Sequence, residues 1–233
     1  DSDKIVLKYF KLKSKKDVNL NPWKKITNVV LKTKPKVNIG LIGKYVNLKD
    51  AYKSLDEALI HGGIDNNVKV NLIRIESDKL KPNEIKEKLK NRSGILIPGG
   101  FGKRGTEGKI EAIKYARQNK IPFLGICYGM QMAVIEYARN VLKIKKATSS
   151  EFSKTGVNVI GLIHEWNRDG KIFKGSKKEL GGTMRLGLYE AKLKKNSLIQ
   201  KIYRSNSINE RHRHRYEVNI CLLYTSDAAD ERR

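Results

Sequence analysis

The residue best suited to chemistry is Cys127, which lies between Gly125 and Gly129 where an apolar stretch gives way to a helical pattern. A sharp strand-to-helix turn needs residues without a Cβ beside the nucleophile, so that the thiol points out of the turn. The positive end of a helix dipole favours the thiolate, and the backbone N–H of Tyr128 can bind a developing oxyanion. The alternative is an inert cysteine buried at the end of a strand.

A second glycine-rich turn, Ile-Pro-Gly-Gly-Phe-Gly-Lys-Arg-Gly at residues 97–105, follows another apolar strand. Neighbouring βα loops of a parallel sheet open on the same carboxyl edge, where ligands bind. Gly99 and Gly100 would let a backbone N–H approach the substrate from the side opposite Tyr128. The two turns together predict a two-sided oxyanion site around a thiol, which is the geometry of acyl transfer. A flexible loop without a role is the alternative for residues 97–105.

The elements that position these turns alternate between strand and helix. The fold class predicted is α/β, with a mostly parallel central sheet and helices on both faces, because the strands are nearly continuous apolar runs. Strands are predicted at 37–43, 68–75, 94–98 and 122–126, and helices from Asp50 to Gly62-Gly63 and at 84–89, 109–118 and 130–142. Predicted strands at 157–165, 171–174 and 185–193 indicate an added antiparallel extension.

Composition indicates a globular protein with a strongly basic surface. The 49 Lys and Arg residues against 24 Asp and Glu give a formal charge of +25. Nucleic-acid binding is one interpretation, but the lysines are scattered without interleaved aromatic residues, which favours solvated faces and no specific nucleic-acid partner. Two cysteines, no apolar run near the ~20 residues that span a bilayer, and no secretory signal predict a soluble, cytoplasmic protein that does not enter membranes.

Several longer segments together carry a resemblance to a known family. They are Gly43 to Val46, Asp50 to Ser54, Pro98 to Gly105, Gly125 to Gln131, Gly181 to Gly187 (Gly-Gly-Thr-Met-Arg-Leu-Gly) and Glu210 to Asn219 (Glu-Arg-His-Arg-His-Arg-Tyr-Glu-Val-Asn). In order and spacing the chain resembles the glutaminase domain, a class I glutamine amidotransferase, of the CTP synthase family. The resemblance makes residues 37–220 an incomplete amidotransferase domain. Residues 1–36, Lys-rich with one helix after Asn21-Pro22, would be the end of a synthetase domain plus a linker.

The resemblance implies a role for each site residue. Cys127 would be the nucleophile that attacks the glutamine side-chain amide, releases ammonia and forms a glutamyl thioester. The oxyanion and glutamine-binding residues would be Gly100, Tyr128, Gly129, Met130, Gln131, Glu151 and Arg215. Among these, Gln131 and Glu151 would hold the polar α-groups of glutamine, and Arg215 its α-carboxylate as a fork-shaped donor. The family has leucine at the position of Tyr128, a change that a backbone donor tolerates.

The resemblance also implies an effector loop and distant partners. Phe101, Arg104 and Glu107 match the lid loop that responds to the activator GTP. No cofactor is expected in this domain and no metal site, whereas the parent enzyme would use ATP, UTP and Mg²⁺ to make CTP. The expected partners are L-glutamine and the missing synthetase domain of the same chain. The parent would be a homotetramer, and the fragment alone a monomer.

The catalytic base is the weakest part of the pattern. The family takes it from a histidine in a His-Pro-Glu segment, and no such segment occurs in the printed sequence. His212 and His214 alternate with arginine, which suits a strand or extended loop rather than a base or a metal ligand, and His61 and His164 match no motif.

The two ends of the chain carry separate expectations. The sequence starts at Asp1 rather than Met, which indicates that the true start is missing. Residues 221–233 resemble the in-frame translation of a sequencing-library adapter, and we interpret them as a non-native tail. The fragment is therefore expected to be poorly active. Two alternatives stay open: another class I amidotransferase, and a non-catalytic glutamine-binding or regulatory homologue.

Overall fold

The computed structural model describes residues 2–13, 19–32, 34–153, 155–162, 165–168, 171–174 and 184–219. The chain forms two compact units, one of residues 1–37 with 52–71 and the other of residues 38–51 with 72–233. Within the described residues, no helix is long and apolar enough to cross a membrane. Three predicted features lie outside the described part of the chain. They are the non-native tail expected at 221–233, His164, and residues 181–183 of the Gly-Gly-Thr-Met motif.

The first unit is helical. Its helices are α1 (Ser2–Tyr9), α2 (Asn21–Leu31) and α3 (Lys53–Asp65). A proline in the first turn of α2 fits a helix start, where its missing N–H leaves no hydrogen bond unmade. The prediction of a single helix before residue 37 was wrong, because α1 forms as well. Its apolar side chains, such as Ile5 and Phe10 just beyond its end, stay exposed, so no buried face marked it in the sequence.

Both predicted ends of α3 were also wrong. A 3₁₀ turn occupies Lys49–Tyr52, so the α-helix begins at Lys53 rather than Asp50, and it continues past Gly62-Gly63 to Asp65. A Cβ on Gly63 would lie 2.8 Å from Val70 Cγ2 and 2.9 Å from the Val68 carbonyl oxygen. Gly63 therefore lies inside the helix and does not end it. Because it has no Cβ, Val68 and Val70 can lie close to the helix.

A four-stranded parallel sheet forms the centre of the second unit. The strands are β1 (Lys36–Gly43), β2 (Lys69–Glu76), β3 (Gly94–Ile97) and β4 (Phe123–Gly125), in the order β2-β1-β3-β4. Parallel pairing aligns Leu41 with Leu96 and Ile97 with Gly125. Strand β3 is buried along its whole length and β1 over its last four residues, as expected for apolar runs covered on both sides. The predicted mostly parallel sheet flanked by helices is confirmed.

Three helices of this unit follow β2, β3 and β4 in the chain. They are α4 (Ile85–Leu89), α5 (Thr106–Gln118) and α6 (Tyr128–Asn140). Helices α5 and α6 begin three and two residues before their predicted starts at Lys109 and Met130. Met132 and Ile135 of α6 are fully buried in the core. Glu136 of α6, 1% exposed, forms a two-pronged ion pair with Arg117 of α5 at distances down to 2.7 Å.

The rest of the second unit is mainly antiparallel, as predicted. Its elements are β5 (Ala147–Ser149), β6 (Val157–Leu162), β7 (Glu165–Arg168), β8 (Lys171–Lys174), β9 (Arg185–Lys192), α7 (Leu198–Tyr203), β10 (Ser207–His214) and β11 (Tyr216–Val218). Antiparallel pairs join β9 to β10, β7 to β8 and β11 to β6, while β5 pairs parallel with β6. The single strand predicted at 157–165 is two strands.

Candidate active site

Cys127 lies in a tight turn between β4 and α6. Its backbone has φ 52° and ψ −102°, a conformation that side-chain-bearing residues rarely adopt. The neighbouring glycines are required by contact distances. A Cβ on Gly125 would lie 2.6 Å from the Gly129 carbonyl carbon, and one on Gly129 would lie 2.1 Å from the Ile97 carbonyl oxygen. The chain can therefore make this turn only with glycine at both positions.

The two glycine-rich turns meet beside the thiol. Because Ile97 aligns with Gly125, the residues that follow β3 and β4 leave the sheet side by side. A Cβ built on Gly99 would lie 3.7 Å from the Cys127 Cβ, and one on Gly100 would lie 3.9 Å from Tyr128 Cδ1. The backbone N–H of Tyr128, the residue directly after Cys127, lowers the pKa of the thiol. The arrangement thus places a backbone donor and a second backbone segment around one sulfur atom.

The remaining residues at the start of α6 differ in their surroundings. The Gly129 N–H donates to the Ile126 carbonyl at 2.9 Å, so the turn itself uses this donor. Met130 is partly exposed. Gln131 is buried, and its Nε2 donates to the Tyr216 carbonyl at 2.9 Å. The Gln131 side chain thereby fixes the start of β11, next to Arg215.

Burial controls the thiol's acidity. Desolvation raises the pKa of Cys127 above its ordinary value, the negative charge of Glu151 raises this pKa further, and the Tyr128 N–H lowers it. The sequence had suggested a thiolate favoured by the helix dipole. In the site without substrate, burial and Glu151 therefore act on this pKa against the donors at the N-terminus of α6.

Glu151 is the charged group most closely associated with this site. Its Oε1 accepts a hydrogen bond from the Gly102 N–H at 2.6 Å. Its charge also adds to burial in raising the pKa values of the Tyr128 and Tyr216 hydroxyls, while Arg215 lowers that of Tyr216. Glu151 and Arg215 therefore shift the pKa of Tyr216 in opposite directions. A carboxylate next to the thiol is chemically suited to an ammonium group.

The predicted lid residues are divided between two sets of contacts. Phe101 is 78% exposed. The Arg104 guanidinium lies 4.6 Å from the centroid of the Tyr45 ring, and its Nε lies 3.7 Å from Asp78 Oδ2. Glu107 instead pairs with Arg139 of α6 at 3.0 Å. The carboxylate of Glu107 is thus held by α6, whereas the Arg104 guanidinium lies against Tyr45 and Asp78.

Two lysines near the loop were missed as site residues. Lys44 follows β1 directly, and its ammonium donates to the Phe101 carbonyl. Lys109 is 2% exposed and donates to Ser77 Oγ at 3.0 Å. Burial, with the nearby charges of Lys44 and Arg104, lowers the pKa of Lys109 to about 8. Lys44 was detectable from its place at the carboxyl edge, whereas the sequence held no sign that Lys109 is buried.

The histidines of the extension contact each other. His212 Nδ1 lies 2.9 Å from His214 Nε2, and His214 Nδ1 lies 3.1 Å from the Tyr216 carbonyl oxygen. Because a carbonyl only accepts, His214 donates from Nδ1. Burial lowers the pKa of His214. In the described chain no histidine is among the groups that act on the Cys127 thiol, and no cluster of three or more His, Cys, Asp or Glu could hold a metal ion.

Comparison with known proteins gives consistent matches. The model of the family "Glutamine amidotransferase class-I" matches residues 47–229. A CTP synthase from Pelagibacter ubique is 75% identical over 220 residues, covering 94% of this chain and 41% of that protein. A CTP synthase from Zymomonas mobilis is 53% identical over 221 residues, again covering 94% of this chain and 41% of the relative. The chain thus spans about two fifths of the length of these relatives.

A solved structure matches as well. The glutaminase domain of Trypanosoma brucei CTPS, with bound acivicin, superposes with a TM-score of 0.72 at 36% sequence identity. The match covers 83% of this chain and 72% of the trypanosome chain.

Proposed function

The chain belongs to the glutamine amidotransferase class-I family, and from that premise we propose that Cys127 is the nucleophile of a glutaminase that supplies ammonia for CTP synthesis. The observation that carries this proposal is the turn at Cys127, which lies so near Gly99 that a Cβ built on this glycine would be 3.7 Å from the Cys127 Cβ. Positive φ at a side-chain-bearing residue costs free energy. This turn places the thiol between the backbone at Gly99 and the backbone at Tyr128.

The proposed reaction begins with glutamine bound by its α-groups. The ammonium goes to Glu151 and the α-carboxylate to Arg215. A glutamine ammonium would also neutralise the Glu151 charge, which removes one of the two causes that raise the pKa of Cys127. Substrate binding therefore favours the nucleophilic thiolate.

The sulfur then attacks the side-chain amide carbon, forming a C–S bond and an oxyanion that accepts from the Tyr128 N–H and from a donor of the Gly99-Gly100 segment. Collapse of this intermediate breaks the C–N bond, and the nitrogen leaves as ammonia after taking up the proton that the Cys127 thiol released. Water hydrolyses the glutamyl thioester to glutamate and restores the thiol. Since the printed sequence contains no His-Pro-Glu segment, we propose that this chain acylates once and turns over poorly.

In the parent protein, ammonia would pass to a synthetase part that aminates UTP with ATP and Mg²⁺. Exposure of Phe101 in the loop next to the thiol supports the proposal that residues 101–104 respond to GTP. Glu107 has less support in that role, because it pairs with Arg139. The assignment to CTP formation is tested on the full-length protein, which should form CTP from UTP, ATP and ammonia without glutamine. Absence of that product would contradict it.

The glutaminase proposal is tested by labelling the chain with acivicin. Mass spectrometry of the digested protein should show one adduct, on Cys127, and L-glutamine should protect against it while D-glutamine should not. Cys221 is the internal control, because both cysteines meet the same reagent. Labelling of Cys127→Ala at the wild-type rate would refute the nucleophile assignment.

One observation favours a second function. Burial and Glu151 raise the pKa of the Cys127 thiol, and in the described chain no histidine is among the groups that act on it. A glutamine-binding regulatory protein fits these facts. Saturable binding of L-glutamine by calorimetry together with an unreactive Cys127 would establish that second reading.

A further inference from the structure

Gly102 is held through both of its backbone polar groups. Its N–H donates to Glu151 Oε1 at 2.6 Å, and its carbonyl accepts from the Tyr128 hydroxyl at 2.6 Å. The residue has φ +75°, and a Cβ built on it would meet no atom within 4 Å. This part of the loop is therefore held by the hydrogen bonds with the Glu151 and Tyr128 side chains rather than by packing around Gly102.

The side chain of Tyr128 is buried, and its hydroxyl makes the hydrogen bond to the loop. The residue is 1% exposed. The ammonium groups of Lys109 and Lys44 lie 5.4 and 5.9 Å from its ring centroid, distances at which a cation is attracted to the ring. A buried tyrosine hydroxyl needs a hydrogen-bond partner, and the Gly102 carbonyl supplies it.

The same residue contacts the thiol through its backbone. The N–H of Tyr128 lowers the pKa of the adjacent Cys127 thiol, and its O–H donates to the Gly102 carbonyl at 2.6 Å. One buried residue thus adjoins the nucleophile through its backbone and Gly102 of the loop through its hydroxyl. Lys44 adds a bond to the preceding carbonyl, that of Phe101.

We propose that Tyr128 is a positioning residue whose hydroxyl holds residues 99–102 closed beside Cys127. The backbone N–H of this residue has a role in the proposed reaction, whereas the hydroxyl is assigned a separate one, in fixing the loop. The effect on reactivity rests on the proposed glutaminase function. The effect on the loop does not, so the two can be tested apart.

The loop itself is tested by limited trypsin digestion of the native chain. Trypsin cuts after Lys103 and Arg104, directly beyond Gly102, and cleavage there reports how often the loop opens. Tyr128→Phe keeps the ring and removes only the hydroxyl. We expect cleavage at these two sites to become about fivefold faster, which is the effect of losing one ordinary hydrogen bond. Hydrogen exchange of residues 99–104 should quicken by a similar factor.

Tyr203→Phe is the matched control. It removes a tyrosine hydroxyl that donates to Glu210 at 2.7 Å in the extension. It should leave cleavage after Lys103 and Arg104 unchanged. Equal cleavage and exchange in Tyr128→Phe and the wild type would overturn the proposal, whatever the chemistry at Cys127.

The positioning role has its own readout in two electrophiles. Acivicin needs an ordered site, whereas iodoacetamide needs only an accessible thiol. In Tyr128→Phe the rate of acivicin labelling should fall about fivefold, for the same single bond, and that of iodoacetamide should not fall. An equal loss with both reagents would show a general structural effect and contradict the positioning role. If acivicin fails on the wild type too, the glutaminase proposal falls, and the digestion still decides the hydroxyl's role.

Discussion

At the scale of single residues, the turn at Cys127 was predictable because its requirements are local. The spacing of Gly125, Cys127 and Gly129 reflects contacts within five residues and with the adjacent strand. Both glycines prove to lie where a Cβ would collide with backbone. The hydrogen bond from Tyr128 to Gly102 was not predictable, since it joins residues 26 positions apart through a loop whose path the sequence does not define.

The collision at Gly129 gives a direct prediction. In Gly129→Ala the new Cβ would lie 2.1 Å from the Ile97 carbonyl oxygen, so the backbone must shift. We expect the free energy of unfolding in urea to fall by more than about 2 kcal/mol. Gly161→Ala is the control, because no atom lies within 4 Å of its Cβ, and its change should stay within about 1 kcal/mol. Equal stability of the two variants would contradict the packing described.

Lys109 gives a prediction in pH. Its pKa is about 8 in the fold, below the 10.5 of an unperturbed lysine, so between these values the unfolded chain binds more protons. Stability should therefore rise as the pH increases from about 8 to about 10. Lys109→Met removes the buried charge. It should raise the melting temperature at pH 7 by roughly 2–4 °C, corresponding to about 1 kcal/mol.

The advantage of Lys109→Met should then shrink as the pH approaches 10. Lys114→Met, on the more exposed part of the same helix, is the control and should show no such pH dependence. A wild-type melting temperature that falls relative to Lys109→Met over this range would contradict the sign.

At the scale of elements, the ion pair between α5 and α6 locks the two helices that flank the thiol turn. Glu136 is 1% exposed, and its carboxylate accepts hydrogen bonds from both Nε and Nη2 of Arg117. Arg117→Leu leaves that carboxylate buried without its cation. We expect a loss of about 3 kcal/mol in the free energy of unfolding.

Two further variants test the ion-pair account. Arg117→Leu with Glu136→Leu should recover most of the loss, because no uncompensated charge remains. Glu107→Ala breaks an ion pair in which the carboxylate is 71% exposed, and it should cost less than about 1 kcal/mol. A double variant as unstable as Arg117→Leu alone would show that packing, rather than charge, explains the loss.

The elements themselves were predicted unevenly for a physical reason. Buried parallel strands such as β3 read as short apolar runs, and each was placed within one residue of its ends. Strand β10 reads Ser-Ile-Asn-Glu-Arg-His-Arg-His and has almost no apolar side chain. Its alternating His and Arg residues suit a strand or an extended loop equally, and the pairing with β9 along its whole length is what makes it a strand. Helix α7 and strand β11 are too short to show a period.

At the scale of the whole molecule, the charge of +25 means that copies of this chain repel one another. Among the described strands, β4 stands at the end of the sheet order, and its Leu124 is 53% exposed. A strand edge with exposed apolar side chains can pair with the same edge of another copy. Repulsion and edge pairing therefore oppose each other.

Salt decides between them, since the Debye length is ~30 Å at 0.01 M and ~8 Å at 0.15 M. Turbidity of a concentrated solution should rise on adding salt. Leu124→Lys should suppress the rise, while Leu188→Lys, an equally charged change on β9, should suppress it less. Turbidity that ignores salt, or that both variants suppress alike, would contradict this. Salt therefore also limits how the protein can be purified. A high-salt wash that removes bound polyanions screens the repulsion between copies and would itself start aggregation.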